Sequence, residues 1–281
     1  MKVYLLPNYK RTNASGVARR VCEILHAEGV ELITDHESHE LGLNEACVTV
    51  MSPDDAMRAC DILLCIGGDG TMLHAARRVM LAPKPLLGIN TGRLGFLTAI
   101  EDDELDQLRL LARGQYRLEE RMVIEACCEG LAERCVAMND IVLFKTSPER
   151  AISLNIYCDD IPVSRSRGDG VVFATPTGST AYSMSAGGPI VDARLGGIVV
   201  TQICAHIVQT PPLVFASDRV LRVIPAGYED ETVSVISDGI TCGVLQKDQP
   251  VIIRQSGLSV QLIQFNEAQQ LQSIDKKLKG R

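Results

Sequence analysis

The sequence predicts a doubly wound, Rossmann-like α/β domain followed by a β-rich, sandwich-like domain, with a C-terminal helix returning to the first domain. Three observations support this fold class. Strand and helix patterns alternate as far as residue 118, strand patterns follow one another over 119–255, and the end of the chain becomes helical and amphipathic again. We therefore expect a first domain of residues 1–118, completed by 256–281, and a second domain of residues 119–255.

The first domain has short apolar strands separated by helices of amphipathic spacing. Lys2–Leu6, Asp61–Ile66 and Leu86–Ile89 read as strands, and the uninterrupted Asp61–Ile66 run is typical of a parallel sheet buried on both faces. The helices are indicated by Val17, Val21, Ile24 and Leu25 before a stop at Gly29, by the segment from about Thr71, and by Leu105, Leu108 and Leu111. This β-α-β-α order predicts a parallel sheet with helices packed on it.

The second domain is marked by alternating residues and frequent turns. Ile152, Leu154 and Ile156 alternate with polar or half-polar neighbours, which predicts a strand with one buried face. A similar alternation is read at Val233 and Val235, and at Val220, Arg222 and Ile224. In the final helical segment, Leu271, Ile274 and Leu278 form the apolar stripe that we expect to pack on the first domain.

Composition excludes several classes of function. The chain has 281 residues, a formal net charge of −7 and 4% aromatic residues, so it lacks the basic and stacking surfaces that nucleic acids need. No stretch approaches the apolar length of a membrane span, and the apolar start is too short for a signal peptide. These features predict a globular, cytosolic protein that binds neither nucleic acid nor a membrane.

The ten cysteines do not form a metal motif. None is spaced as C-x-x-C, and most lie inside apolar runs, so we interpret them as reduced, buried thiols. His36 and His39 are interpreted as part of a solvated polar loop, with a transition-metal site as the alternative.

The run Gly67-Gly68-Asp69-Gly70-Thr71 follows a buried strand and precedes a helix. Glycines at such a turn let backbone N–H groups approach phosphates, and a helix N-terminus favours anions. The carboxylate of Asp69 would repel phosphate, so it suggests a catalytic base or a group that meets Mg²⁺. A plain turn with an Asp cap is the structural alternative, and His74 either faces the same phosphates or is a surface residue. The run is neither a Walker A motif nor G-x-G-x-x-G, so neither a P-loop nor a hydride-transferring enzyme is indicated.

Two further segments are candidates for binding. Asn139-Asp140 lies between apolar strand residues and is either a turn or a pair projecting into a site, where the amide suits a base edge and the carboxylate suits ribose hydroxyls. The second segment is rich in Gly, Ser and Thr and spans 167–189, within a β domain. Small side chains and hydroxyls there would let rings and sugars come close, whereas the alternative is an ordinary surface loop.

Taken in order, these motifs resemble those of the NAD kinases. The matching runs are GGDGT at 67–71, NTGRLGF at 90–96, Asn139-Asp140, and GDGVVFATPTGSTAYSMSAGGPI at 168–190. The resemblance extends from residue 1 to about 280, and its last motif is the specific one, since GGDGT is shared with lipid kinases and phosphofructokinases.

The resemblance implies a role for each matching residue. Asp69 would accept the proton of the 2′-hydroxyl on the adenosine ribose of NAD. The donor phosphates would be cradled by Gly67, Gly68, Gly70 and Thr71, with His74 where the family has a basic residue. The dinucleotide pocket would be lined by Asn139, Thr180, Ala181, Tyr182, Ser183, Met184 and Ser185, with Cys204 at its border. Asp140 and Asp169 would take ribose hydroxyls, and Arg167 a phosphate.

The resemblance also implies the partners of the reaction. The phosphoryl donor would be ATP, or polyphosphate, with Mg²⁺ carried by the donor and no metal held by the chain itself. The active site would lie between two domains, and the protein would be a homo-oligomer, a dimer or a tetramer. A lipid kinase or other small-molecule kinase of the same superfamily, or a non-catalytic dinucleotide-binding regulator, are the alternatives.

Three positions depart from the family pattern. Pro211-Pro212 stands where the family has arginine before proline, and Asp140 replaces a glutamate, so its shorter carboxylate needs a shifted sugar or a water. Ile240 follows Asp238-Gly239 where the family has glutamine, which removes a polar contact. We expect Ile240 to border the pocket, with burial in the β-domain core as the alternative.

Overall fold

The computed structural model describes residues 1–8, 13–36, 43, 47–92, 95–131, 135–206, 211–228, 231–266 and 271–275. The chain divides into two compact units. Unit 1 comprises Met1–Glu120 and Val260–Arg281, and unit 2 comprises Arg121–Ser259. Unit 1 is an α/β layer and unit 2 is rich in β-strands, which confirms the predicted fold class.

Unit 1 is built on a parallel sheet. Its strands are β1 (Lys2–Pro7), β2 (Glu31–Asp35), β3 (Val48–Met51), β4 (Ile62–Gly67), β5 (Leu86–Asn90) and β6 (Ile100–Glu101). Its helices are α1 (Ala14–Ala27), α2 (Pro53–Ala59), α3 (Asp69–Leu81) and α4 (Leu108–Ala112), with a 3₁₀ turn at Leu105–Gln107. The strands lie in the order β5-β4-β1-β2-β3, every pair parallel, and β6 pairs with β5.

The local sequence explains these elements. Every residue of β4 is buried, as its uninterrupted apolar run predicts. Helix α1 buries one face against the sheet and ends at Ala27, with Glu28 as its cap. Gly29 follows with a φ of +76°, so that its N–H reaches the His26 carbonyl and Val30 N–H reaches the Leu25 carbonyl. This Schellman arrangement satisfies carbonyls that the helix end would otherwise leave unpaired.

Unit 2 is an antiparallel β-sandwich. Its strands are β7 (Arg117–Cys127, which begins in unit 1), β8 (Cys135–Ala137), β9 (Asp140–Lys145), β10 (Ile152–Cys158), β11 (Ile161–Gly168), β12 (Gly170–Ala174), β13 (Gly197–Ile203), β14 (Leu213–Ala216), β15 (Leu221–Pro225), β16 (Val233–Ser237), β17 (Ile240–Leu245) and β18 (Val251–Gln264, which ends in unit 1). A 3₁₀ turn at Gly178–Thr180 leads into the short helix α5 (Tyr182–Ser185).

Two sheets enclose the core of unit 2. One has the order β11-β10-β15-β18, with β7 and β8 beside it, and the other has the order β14-β13-β12-β9-β16-β17. Leu154 of the first sheet and Phe173 of the second lie in one buried apolar cluster. Ile152, Leu154 and Ile156 all belong to this cluster, so β10 has the buried face that their alternation predicted.

Two details differ from the sequence prediction. On β15 the buried side chains are Leu221 and Val223, so the face assigned to Val220, Arg222 and Ile224 was wrong by one residue. Residues 271–275 are helical and group with unit 1, but Leu271 is exposed. Leu278 lies outside the described residues.

Within the described ranges, every helix is too short or too polar to cross a bilayer.

Candidate active site

The glycine-rich turn lies at the carboxyl end of β4. Gly67 closes the strand, Gly68 caps helix α3, and Asp69 is the first helical residue. A Cβ on Gly67 would overlap the hydroxyl of Thr71, and that hydroxyl accepts a hydrogen bond from Asn8 Nδ2 at 3.0 Å. Glycine is therefore required here so that the helix can start directly against the strand. The result is a helix N-terminus at the edge of the sheet, which favours an anionic ligand.

The carboxylate of Asp69 is held by the backbone of the second motif. Phe96 N–H donates to Asp69 Oδ1 at 3.0 Å, and Leu97 N–H donates to the same oxygen at 3.1 Å. A Cβ on Gly95 would lie 2.5 Å from Asp69 Oδ1, so a larger residue would displace the carboxylate. The structure thus brings 67–71 together with the run that begins at Asn90, although Arg93 and Leu94 lie outside the described residues. Asp69 remains partly exposed, as a base must be to reach a substrate.

His74 occupies a different side of helix α3. It is five positions beyond Asp69, which corresponds to a rotation of about 140° round the helix. Partial burial, together with the guanidinium groups of Arg78 and Arg77, lowers the pKa of His74. This shift favours the neutral form of the imidazole, and a phosphate-binding role for His74 stays a prediction.

In unit 2, Met138 and Asn139 form the bend between β8 and β9, and Asp140 is the first residue of β9. The side chains of Asn139 and Asp140 are both buried. Asn139 is 8% exposed, and among the described residues its Oδ1 has no hydrogen-bond partner. Unpaired buried acceptors are rare and indicate a missing partner. Burial, and then the neighbouring charge of Asp238, raise the pKa of Asp140 to about 7, while Tyr182 N–H acts in the opposite direction.

The Ser- and Thr-rich segment is folded and largely buried rather than a surface loop. The Thr175 hydroxyl donates to the Met138 carbonyl at 2.5 Å, Thr180 donates to Thr177, and Ser183 bonds to Thr201. These hydroxyls bond within the segment and to neighbouring parts of unit 2, which differs from the expectation that they are donors for a ligand. Ala181, Met184 and Ser185 are partly or fully exposed, and Tyr182 is 40% exposed. Whether these residues line a dinucleotide pocket stays a prediction.

A group of polar residues surrounds Tyr182. Burial, with the nearby Cys204, Asp140 and Asp169, raises the pKa of its phenol. Asp169 in turn lies 2.6 Å from Lys145 Nζ, which holds the pKa of that carboxyl below its usual range. Four residues named from the sequence therefore lie close together in unit 2.

Two residues that act on this group, Lys145 on Asp169 and Asp238 on Asp140, were not singled out as functional from the sequence. Lys145 appears as the polar end of an apolar strand, and Asp238 appears as a hairpin turn residue. Their roles depend on contacts 24 and about 100 residues away along the chain, which local patterns do not report. Arg167, in contrast, lies on β11 with an exposed side chain, and its carbonyl accepts from His206 N–H.

Ile240 begins strand β17 and is 53% exposed, so the alternative that buried it in the core is wrong. Its position at the border of a pocket stays a prediction.

The cysteines are free thiols, as expected, but not all are buried. Cys22, Cys60, Cys65, Cys135 and Cys158 are buried, whereas Cys127 and Cys204 are exposed. In the part of the chain that the structure describes, His, Cys, Asp and Glu side chains form no group of three or more able to hold a metal ion. His39 lies outside that part.

The α/β unit carries a carboxylate beside a glycine-rich turn that opens a helix, and the β-sandwich unit carries a buried amide next to a buried carboxyl. Both features are typical of a nucleotide-dependent phosphotransferase. Comparisons with known proteins identify the family. Residues 3–116 match the ATP-NAD kinase N-terminal domain, and residues 138–265 match the ATP-NAD kinase C-terminal domain. The chain belongs to the NAD kinase family.

Individual relatives agree with this assignment. An NAD kinase of Chlorobium limicola is 34% identical over 282 residues, which cover 99% of this chain and 96% of that protein. An NAD kinase of Solibacter usitatus is 36% identical over 258 residues, covering 90% and 88%.

Solved structures share the fold. A yeast NADH kinase complexed with NADH superposes with a TM-score of 0.87 at 24% identity, covering 99% of this chain and 87% of that one. An NAD kinase from Archaeoglobus fulgidus in complex with ATP gives a TM-score of 0.76 at 23% identity, with both chains covered completely.

Proposed function

We propose that this chain transfers the γ-phosphoryl group of ATP to the 2′-hydroxyl of the adenosine ribose of NAD, giving NADP and ADP. The observation that carries the proposal is the Asp69 carboxylate, fixed by two backbone amides at the N-terminus of a helix that follows a glycine-rich turn. Membership of the NAD kinase family supports the identity of the substrates.

Asp69 acts as the general base. Its carboxylate takes the proton of the 2′-hydroxyl, and the oxygen so activated forms a bond to the γ-phosphorus. The bond between that phosphorus and the bridging oxygen breaks, and the electron pair leaves with ADP. The amides of Phe96 and Leu97 keep the carboxylate in one orientation, so little motion is needed before the proton moves.

The donor phosphates bind at Gly67, Gly68, Gly70 and Thr71. The N-terminal partial charge of α3 supports this role, because it stabilises negative charge without a side-chain cation. Mg²⁺ bound to ATP would supply charge neutralisation on the phosphates. Asp69 is the carboxylate of this turn that such an ion would meet. Polyphosphate would suit the same turn as an alternative phosphoryl donor.

Unit 2 provides the dinucleotide pocket. The unpartnered Oδ1 of Asn139 suits the exocyclic amine of adenine, which is a hydrogen-bond donor. Asp140 and Asp169 suit ribose hydroxyls, and Arg167 suits a phosphate. Tyr182 and its neighbours Thr180, Ala181, Ser183, Met184 and Ser185 shape the pocket wall, with Cys204 at its border. A homo-oligomeric assembly and a cytoplasmic location stay predictions from the family resemblance and the sequence.

The experiment is a coupled assay on the purified protein. NAD, ATP and Mg²⁺ are supplied, and NADP⁺ is measured with a dehydrogenase that accepts NADP⁺ alone. A diacylglycerol and a sphingoid base are tested in parallel, and polyphosphate replaces ATP in a second series. The proposal expects NADP⁺ and no lipid phosphate. Lipid phosphorylation, or NAD binding without any product, would instead support the lipid kinase or the non-catalytic regulator and overturn the proposal.

A further inference from the structure

Asp238 lies in a tight turn that is fastened to the bend carrying Asn139 and Asp140. The turn joins β16 to β17, and both of its central residues, Asp238 and Gly239, have positive φ, at 44° and 80°. Such values are typical of the two-residue turns that join antiparallel strands, and Asp adopts them more readily than most residues. The sequence explains the turn but not the choice of a carboxylate at its tip.

The carboxylate of Asp238 accepts three consecutive backbone amides. Its Oδ2 accepts from Met138 N–H at 2.9 Å, and its Oδ1 accepts from Asn139 N–H at 2.9 Å and Asp140 N–H at 3.1 Å. In return, Asp238 N–H donates to the Asp140 carbonyl at 3.0 Å. Converging amides form a cluster of positive partial charge, which an ionised carboxylate satisfies better than a neutral acceptor.

The other side of the bend is held just as closely. The Thr175 hydroxyl and N–H bond to the carbonyls of Met138 and Asn139, at 2.5 and 2.9 Å. Gly178 lies so close to the Asn139 carbonyl that a Cβ would overlap it. The backbone at 138–140 is therefore held through its N–H groups by Asp238 and through its carbonyls by Thr175. Of these two partners, Asp238 is the charged one.

Asp238 also sets the electrostatics of the bend. The groups that act on the Asp140 carboxyl are Asp238 from the β16–β17 turn and Tyr182 from α5, whose N–H donates to it. Cys204 and Asp169, together with Asp140, act on the Tyr182 phenol, whose pKa they raise. After burial, the negative charge of Asp238 is the main cause that raises the pKa of Asp140 to about 7. The charge thus affects both the shape and the protonation of the bend.

We propose that Asp238 is a positioning residue for the dinucleotide pocket, and that its carboxylate holds residues 138–140 in the conformation in which Asn139 and Asp140 bind NAD. The inference rests on the proposed function of that bend. It assigns no contact between Asp238 and the substrate.

The test is Asp238→Asn in the full-length protein. Asparagine tolerates the same positive φ and keeps one acceptor oxygen, so the turn itself is preserved. The matched control is Asp248→Asn, because Asp248 is also a turn residue of unit 2 with positive φ, 60°, and is exposed. KM for NAD, KM for ATP and kcat are measured between pH 5.5 and 8.5, with amide hydrogen exchange at 138–140 as an independent readout.

We expect KM for NAD to rise about tenfold or more, which is the effect expected from losing one charge-assisted hydrogen bond. KM for ATP should stay within about threefold of its original value. Because a neutral residue no longer repels the charge on Asp140, the inflection in KM for NAD moves to lower pH. Exchange at 138–140 accelerates, and Asp248→Asn changes none of these quantities.

Three outcomes would overturn the inference: unchanged KM for NAD and unchanged exchange, equal rises in both KM values, or an inflection that does not move. If the unmodified protein makes no NADP⁺, the proposed function fails by that result alone. In that case, the NAD affinities of the unmodified protein and of Asp238→Asn are measured by calorimetry. Equal affinities, or no binding to either protein, would refute the positioning role.

Discussion

The buried acceptor of Asn139 leads to a prediction in which stability and substrate affinity change in opposite directions. Asn139→Leu replaces a branched amide with an apolar side chain of similar shape. Among the described residues, Asn139 Oδ1 has no partner, and an unsatisfied buried acceptor costs about 1–3 kcal/mol. Removing it should therefore stabilise the free protein, and a gain of about 1 kcal/mol raises Tm by roughly 2–4 °C in a chain of 150–250 residues.

The same substitution should weaken NAD binding. If the substrate supplies the missing donor, its loss costs about 1–3 kcal/mol, which is roughly a 5- to 150-fold rise in KM for NAD. KM for ATP should stay unchanged. Thermal melts with and without NAD, and coupled kinetics for both substrates, measure the two effects.

The matched control is Asn155→Leu, since Asn155 is a half-buried asparagine on β10 of the same unit. It should change neither Tm nor KM by comparable amounts. A lower Tm for Asn139→Leu with unaltered KM for NAD would show that Asn139 supports the fold and does not contact the dinucleotide, and the reasoning would be refuted.

Three further predictions follow from close contacts and from the reaction. Gly178→Ala places a Cβ against the Asn139 carbonyl and should lower the free energy of unfolding by about 1–3 kcal/mol. The control, Gly257→Ala, places a Cβ that meets no atom within 4 Å and should not lower it. Equal denaturation midpoints for the two variants would contradict this prediction. Gly95→Ala places a Cβ 2.5 Å from Asp69 Oδ1 and should reduce kcat by about 10- to 100-fold without changing NAD affinity, while Gly16→Ala, with open space around it, serves as the control. EDTA should stop turnover and added Mg²⁺ should restore it, with no change in the circular dichroism spectrum. One tightly bound zinc per chain in elemental analysis would overturn the interpretation of the cysteines as plain thiols.

Patterns of local sequence predicted most of the fold. The fully buried β4, the termination of α1 just before Gly29 and the alternation on β10 all depend on residues close in the chain, and each is present in the structure. The error on β15 has a physical cause. Ile224 lies on the strand with Leu221 and Val223, and Val220 directly precedes the strand. Apolar residues therefore occupy both faces, and the period of two does not identify the buried face.

The functional segments were harder to interpret because their side chains interact over long sequence distances. The hydroxyls of Thr175 and Ser183 are turned towards Met138 and Thr201, and composition alone made them look available to a ligand. Asp238 looked like an ordinary turn residue because its three amide partners are about 100 residues away. Asp69 could be proposed from the sequence because the strand, the glycine-rich turn and the helix that surround it are adjacent in the chain.

The most direct test of the account is the single-turnover rate of Asp69→Asn with NAD, ATP and Mg²⁺. The amide keeps an oxygen that can accept from Phe96 and Leu97, so the turn and NAD affinity should be preserved, while the proton acceptor is lost. Loss of a general base typically reduces the rate by about 10²–10⁴-fold, and we expect a reduction in that range with NAD binding within about threefold of the original. A variant that keeps more than about half of the original rate would contradict the assignment of Asp69 as the base, since a positioned base contributes far more than a factor of two.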